Sequence, residues 1–250
     1  MATPYRIAIV IPAYNEALRL PETLKAIAAH SVEGFSLVNI IVADNASVDD
    51  TGEIALAYKA QLNLPLTVHR LEVAGKASTL REIMPVACEP EVDGVLFMDA
   101  DNATDISQLS RFDFNDRKSI QIASRYLPES TIVTAHGGKR ARSREILSWV
   151  MRRMTNVLLG LPEKDTQCGF KLFPNPAVKP LFEGLTSQSW VFDAEILAQA
   201  HRMGLTVREI PVYWVEMPGS KVKPLQDSFK SFIALWQIKW ALRKKRQLRS

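Results

Sequence analysis

The sequence predicts an α/β fold, a mostly parallel central sheet with helices on both faces. Three observations lead there. Short runs that are apolar almost throughout, such as Ile7–Ile11 and Val95–Met98, suit strands buried on both sides. Segments of helical character separate them, so successive strands are joined by crossovers and run parallel. The strand ends carry polar sequence, PAYNE at 12–16, ADNAS at 43–47 and DADNA at 99–103, and open parallel sheets bind ligands at those ends.

RIAIVIP is a strand through Ile7, Ile9, Val10 and Ile11, and Pro12, with no N–H to donate, is expected to end its ladder. NEALRLPETLKAIAAH is a helix whose apolar face is Leu20, Leu24, Ile27 and Ala28. VNIIVAD is a second strand. SVDDTGEIALAYKAQ is a second helix, with Ser47 as its N-cap and Asp49 and Asp50 at its positive end. LTVHRL is a third strand, KASTLREIMPVAC a third helix and GVLFMDAD a fourth strand. After about residue 104 the alternation loosens. SIQIASRY reads as a short strand and loop, TIVTAHGGKRARS at 131–143 as a mobile loop, and ILSWVMRRMTNVLLG as a helix. TQCGFKLF follows, then a helix around VFDAEILAQAHRMG, one strand TVREIPVYWVE, and a C-terminal segment.

Composition narrows the classes. At 250 residues and 47% hydrophobic, the chain can build one sizeable core. Two cysteines make no disulfide framework, so a reducing cytoplasm is expected. The net charge of +4 suits phosphate-rich ligands, and nucleic acid is not an expected partner. No apolar run approaches the roughly 20 residues of a membrane span. A dinucleotide GxGxxG and a P-loop GxxxxGK[ST] are both absent, the four histidines have no metal-like spacing, and no nucleophilic triad can be assembled.

What remains is the strand ends. Asp99 and Asp101, with one residue between them, both ionise cheaply only beside a cation, and oxygen ligands suit Mg²⁺ or Mn²⁺. Alone, such a pair reads as a cap or a solvated strand end, but its place at the mouth of a buried strand favours the metal. Asp44 can accept from a nucleobase, and Lys76, in AGKAS at the start of a helix, can meet a phosphate. PAYNE by itself would be a turn with Asn15 capping the next helix.

Together these residues resemble the family 2 glycosyltransferases of GT-A, Rossmann-like fold. DTQCGFKLF at 165–173, WVFDAEIL at 190–197 and PVYWVEMPGSKVKP at 211–224 narrow the resemblance to the dolichyl-phosphate β-glucosyltransferases, and more loosely to the dolichyl-phosphate mannose synthases. It covers about residues 6–225. It implies one domain over 1–226, with a nucleotide-sugar half (1–104) and an acceptor half (105–226). Pro12, Ala13, Tyr14, Glu16 and Asp44 would hold the nucleoside. Asp99 would hold the pyrophosphate and metal, Asp101 the metal, and Lys76 and Lys221 the pyrophosphate. A further metal ligand of the mannose synthases falls at Ala103, leaving Asn102 or water to substitute. Arg125 matches an acceptor-phosphate arginine. Arg144, Lys171 and Gln167 are the other acceptor-side candidates, and Asp193 and Glu195 would position sugar or acceptor, Asp193 being placed with the catalytic set. The bland reading of FDAE is a helix start with acids in its first turn.

The implied reaction is inverting transfer of a hexose, with UDP-glucose the first donor, to a polyprenyl phosphate, assisted by Mg²⁺ or Mn²⁺. A GDP-mannose or UDP-N-acetylhexosamine transferase, one acting on another acceptor, and a non-catalytic nucleotide-sugar-binding protein stay open as alternatives. The chain is expected to lack the N-terminal anchor and C-terminal membrane domain found among those relatives. Residues 227–248 carry Phe229, Phe232, Ile233, Trp236 and Trp240 on one helical stripe, followed by a basic cluster. That helix either packs on the domain or lies on a membrane, and a lipid acceptor favours peripheral contact with the inner face of a membrane.

Overall fold

A computed structural model describes residues 3–30, 34–72, 74–135, 142–217 and 224–247, with the side chains of 142–144, 147, 224–230 and 245–247 left out. Its frame is the expected mostly parallel sheet. β1 (Tyr5–Ala13), β2 (Phe35–Asn45), β3 (Leu66–Leu71) and β4 (Gly94–Met98) alternate with α1 (Leu20–Ala29), α2 (Thr51–Leu62) and α3 (Lys76–Val86). A 3-10 helix, Ile106–Arg111, leads to β5 (Ile120–Ser124) and β6 (Thr131–Thr134). Then come α4 (Arg142–Leu159), β7 (Phe170–Pro174), α5 (Asn175–Phe182), α6 (Phe192–Arg202), β8 (Val207–Pro211), β9 (Tyr213–Glu216) and α7 (Pro224–Gln247). The main sheet has the order β3-β2-β1-β4-β7-β5-β8, and β6 and β9 form a separate parallel pair.

Every residue of β4, β5 and β7 is buried, as befits central strands with helices on both faces. Two apolar clusters fill the two sides: Val10, Phe97, Phe173, Phe182, Phe192 and Leu235 on one, and Ile9, Leu20, Leu24, Leu96, Phe170 and Leu172 on the other.

Four expectations are corrected. β1 runs through Pro12 to Ala13, with Pro12 opposite Ala43; β4 pairs with β1 only as far as Val10, so the missing N–H falls where one side of the strand is open. α2 starts at Thr51, and Ser47 instead accepts from the Asn15 N–H through its Oγ (3.0 Å). Thr131–Thr134, read as loop, pairs with Tyr213–Glu216. TVREIPVYWVE is accordingly two strands in two sheets, joined at Val212.

The connection that matters most is β7. It runs antiparallel to β4, placing Phe97 opposite Lys171 and Met98 opposite Phe170. The segment just before β7 therefore returns to the end of β4, where the aspartate pair begins.

Candidate active site

Strand register assembles the cleft. Ala13 lies opposite Asp44 across β1 and β2, so PAYNE and ADNAS are neighbours. Side chains tie PAYNE to ADNAS and the start of α2: Asn15 N–H donates to Ser47 Oγ, Val48 N–H to Asn15 Oδ1 (2.9 Å) and Glu16 N–H to Thr51 Oγ1 (2.9 Å), while Ser47 N–H donates to Asp44 Oδ1 (3.1 Å) within ADNAS. Asn45 Oδ1 accepts from Gly75 N–H (2.7 Å), which fixes the turn that starts α3. Each of the first, second and fourth strand ends is turned by one residue in the left-handed region: Asn15 (φ 53°), Ala46 (φ 56°) and Asn102 (φ 55°). Asparagine tolerates that conformation; alanine is strained by it. Pro12, Ala13, Glu16 and Asp44 are buried around this mouth, and Tyr14 is exposed on it.

At the end of β4, Asp99 Oδ1 accepts from Lys76 Nζ at 2.6 Å, and Asp99 N–H donates to Gly169 O at 2.9 Å. The carboxylate lies directly over Gly169: a Cβ there would be 1.9 Å from Oδ2 and 2.2 Å from Cγ. Asp101 lies 3.7 Å from the Arg19 guanidinium, which holds Glu16 with two hydrogen bonds of 2.7 and 2.5 Å. Burial and the neighbouring Asp99 charge push the Asp101 carboxyl up from its ordinary range. Burial opposes the charge of Lys76, but Asp99 and Asp193 outweigh it and hold the ammonium above its usual value.

Beneath the pair, the fully buried Lys171 donates to Asp193 Oδ1 (2.6 Å) and to Cys168 O (2.5 Å). Burial pushes the Asp193 carboxyl up, against the pull of Lys171 and Lys76. Lys76 and Lys171 both stand over the Phe97 ring, at 5.0 and 5.6 Å. Asp99, Asp101 and Asp193 thus share one cluster with Lys76, Lys171 and Arg19.

Arg125, expected to meet the acceptor, sits in a second charged cluster. It grips the fully buried Asp165 through Nε (2.7 Å) and Nη2 (2.9 Å), with its Cζ 5.2 Å from the Trp214 ring centre. Burial opposes both charges, but the pair outweighs it, holding Arg125 well above and Asp165 below their usual values. Asp165 is itself carried by Glu209, which accepts from the N–H groups of Lys164 and Asp165 (2.9 Å each). Cys168 joins the two clusters. Its Sγ is 3.7 Å from Thr104 Oγ1 in the aspartate loop, and burial lifts its thiol to about 11.

The other expected residues are placed less uniformly. Gln167 is exposed on the turn between Asp165 and Cys168. Lys171 is enclosed, so it reaches the cleft only through Asp193. Glu195 turns away: its two oxygens accept from Thr186 N–H (3.0 Å), Thr186 Oγ1 (2.7 Å) and Ser187 N–H (2.8 Å), bracing the segment before α6 instead of facing substrate. The bland reading of FDAE therefore describes Glu195. Lys221 and the side chain of Arg144 lie outside the described residues. Sequence reasoning missed Arg19, Asp165 and Gly169. The signals were an arginine at the start of a helix, and two residues of a quoted motif that were given no role.

A divalent cation fits in part. Asp99 and Asp101 would be its carboxylates, and Asn102 Oδ1, in the same turn, is buried without a hydrogen-bond partner. Among the described residues no group of three or more His, Cys, Asp or Glu could hold a metal ion; a cation here would need further oxygens, such as phosphate or water.

Comparisons with known proteins bear on the family and the fold. Residues 8–182 match the family model Glycosyl transferase family 2. The chain is 28% identical over 258 residues to a dolichyl-phosphate beta-glucosyltransferase of Dictyostelium discoideum, covering 93% of this chain and 77% of that protein. It is 32% identical to dolichyl-phosphate beta-glucosyltransferase ALG5D of Trichomonas vaginalis, covering 93% and 72%. Among solved structures, mannosyl-3-phosphoglycerate synthase from Rubrobacter xylanophilus superposes with a TM-score of 0.62 at 15% identity, covering 98% of this chain and 76% of that one. The UDP complex of glucosyl-3-phosphoglycerate synthase from Mycobacterium tuberculosis gives 0.60 at 17% identity, covering 94% and 80%. The fold is the GT-A fold expected from the sequence.

Proposed function

The chain belongs to glycosyl transferase family 2 and is a glycosyltransferase, and from that premise we propose that it moves glucose from UDP-glucose to a polyprenyl phosphate with inversion at the anomeric carbon. The observation that carries this reading is the β4–β7 pairing. It sets Lys171 opposite Phe97 and Gly169 against Asp99, which supports reading the acceptor-half motif and the aspartate pair as parts of one site. Relatives that match over most of this chain are named for glucosyl transfer to dolichyl phosphate.

The nucleoside would lie on Pro12–Glu16 and Asp44, with the diphosphate running toward Lys76 and the aspartate pair. Mg²⁺ or Mn²⁺ held by Asp99 and Asp101 would supply Lewis-acid stabilisation of the departing diphosphate. Lys76 adds a fixed positive charge to the same seat. The acceptor, a phosphate monoester, is already anionic at neutral pH and needs no strong general base. Its demand is electrostatic, and Arg125, already oriented by Asp165, meets it. An acceptor oxygen attacks the anomeric carbon as the bond to the nucleoside diphosphate breaks. Asp193, held by Lys171, would set the orientation of the sugar.

Membrane contact belongs to the same reading. α7 has two apolar faces. Ala234, Leu235, Ile238 and Leu242 are buried, and Phe232, Ile233, Trp236 and Trp240 are exposed, Trp240 at 72%. α4, which packs against α7, exposes Ile146, Trp149, Val150 and Val157 at helical spacing. Exposed Trp beside Arg243 and Lys244 suits the interface of an anionic bilayer. No helix among the described residues is long and apolar enough to cross a membrane.

The donor half is tested by titration calorimetry with UDP and GDP, with and without Mn²⁺. UDP should bind more tightly with Mn²⁺, and the Mn²⁺ effect should vanish in Asp101→Asn. Tighter binding of GDP would overturn the choice of donor, and indifference to both nucleotides would overturn the donor site.

A further inference from the structure

Arg19 has no role in the reaction as drawn above, and its position is electrostatically awkward. It is the N-cap residue of α1, where the helix dipole disfavours a cation. Two carboxylates offset that cost. Glu16 takes both Nε and Nη2, and Nη1 is left 3.7 Å from Asp101 Oδ2. The side chains of Arg19 and Asp101 are 22% and 27% exposed, so this charge contact is only partly screened. Each aspartate of the pair therefore faces a cation of the chain itself, Lys76 on Asp99 and Arg19 on Asp101.

The two contacts differ in kind. Lys76 makes a 2.6 Å hydrogen bond, feels Asp193 as well, and stands 5.0 and 6.0 Å from the Phe97 and Phe192 ring centres. Arg19 touches Asp101 beyond hydrogen-bond reach, and its firm hold is on Glu16.

We infer that Arg19 is a resident counter-cation of Asp101, a positioning residue that makes metal binding depend on the donor's diphosphate. The inference rests on the metal reading above. A divalent cation on Asp101 meets a guanidinium a few ångströms away, and that repulsion weakens binding of the ion alone. A bound diphosphate places negative charge beside both cations and removes the penalty. Arg19 thereby couples two ligands that would otherwise bind independently, and such coupling is reciprocal. Glu16 keeps Arg19 in place throughout.

The test is Mn²⁺ binding to the full chain, followed by the EPR signal of free Mn²⁺, without nucleotide and with UDP. Arg19→Gln should bind Mn²⁺ alone roughly fivefold more tightly, the size expected of a partly exposed ion pair of about 1 kcal/mol. The further tightening on adding UDP should shrink by the same factor. Arg19→Lys should behave like the wild type. Glu16→Gln/Arg19→Gln should keep the gain; its loss would assign the effect to a freed Glu16 and overturn the inference. A folded Arg19→Gln that binds Mn²⁺ no more tightly than wild type would also overturn it. Asp101→Asn reports on the metal seat separately, since Mn²⁺ retained there would remove the seat itself and leave Arg19 nothing to regulate.

Discussion

Replacing Gly169 by alanine should separate catalysis from stability. The added Cβ would sit 1.9 Å from Asp99 Oδ2, 2.2 Å from Cγ and 2.6 Å from Oδ1. Real Cβ contacts essentially never fall below 3.0 Å. The backbone at Gly169 lies outside the left-handed region, so alanine itself is tolerated, and the carboxylate must retreat by about 1 Å. That retreat breaks the 2.6 Å bond to Lys76 and takes Asp99 out of register with Asp101. A misplacement of about 1 Å typically costs about 100-fold in rate. The stability cost is the loss of one partly exposed ion pair, about 1 kcal/mol, or roughly 2–4 °C in Tm for a chain of this size. The assay is initial-rate transfer from UDP-glucose under saturating Mn²⁺, with thermal unfolding measured on the same preparations. A variant with wild-type transfer would refute the placement of Asp99, and one that unfolds outright would refute the claim that Gly169 serves the site more than the fold.

Arg125→Ala should destabilise as well as inactivate, by about 3–5 kcal/mol in urea unfolding, because it leaves Asp165 charged, buried and unpaired by an arginine. Asp165 is held below its unfolded value, so its contribution is present above pH 4 or so and is lost as pH falls through the depressed folded value. Asp165→Asn should therefore show a shallower acid limb of stability than wild type. Ala46→Gly should stabilise by about 0.5–1 kcal/mol, since φ 56° strains alanine by about 1–2 kcal/mol and the looser unfolded state of glycine returns part of that; a lower Tm would remove the strain argument. Trp236→Ser with Trp240→Ser should reduce sedimentation with anionic vesicles while leaving the Tm within a few degrees, because both rings are exposed. Deleting the helix is a poorer test, since it would also uncover the bed of Leu235 and Ile238. Unchanged sedimentation of the double variant would remove α7 from the membrane reading.

What the sequence made legible followed from local signals. β1, β2 and β4 announce themselves as apolar runs, and their parallel crossovers put the polar turns that follow them at one edge. Asp99 and Asp101 could be picked out because two charges end a run that is otherwise buried. What stayed hidden depends on contacts distant in sequence. β7 pairs with β4 across some seventy residues, and nothing in TQCGFKLF declares an antiparallel direction or that Gly169 must lie under Asp99. Lys171 in a wholly buried strand was a signal, since a buried lysine requires a carboxylate, and Asp193 is that partner. Arg19 was missed because an arginine three residues after a glutamate looks like an ordinary surface pair; only the fold brings Asp101 to it. The split of 207–216 into β8 and β9 did leave a mark, Pro211, whose missing N–H falls where β8 ends, but the apolar Ile210 and Val212 on either side make the run look continuous.

The cleft is proposed to join a nucleotide sugar to a lipid phosphate. The most direct test incubates the full chain with UDP-[¹⁴C]glucose, Mn²⁺ and either polyprenyl phosphate or the corresponding polyprenol, and counts label extracted into chloroform. Label should appear only with the phosphate, be released as glucose by mild acid, and disappear in Asp101→Asn. Equal labelling of the polyprenol, or no labelled lipid with either acceptor, would rule out transfer to a lipid phosphate.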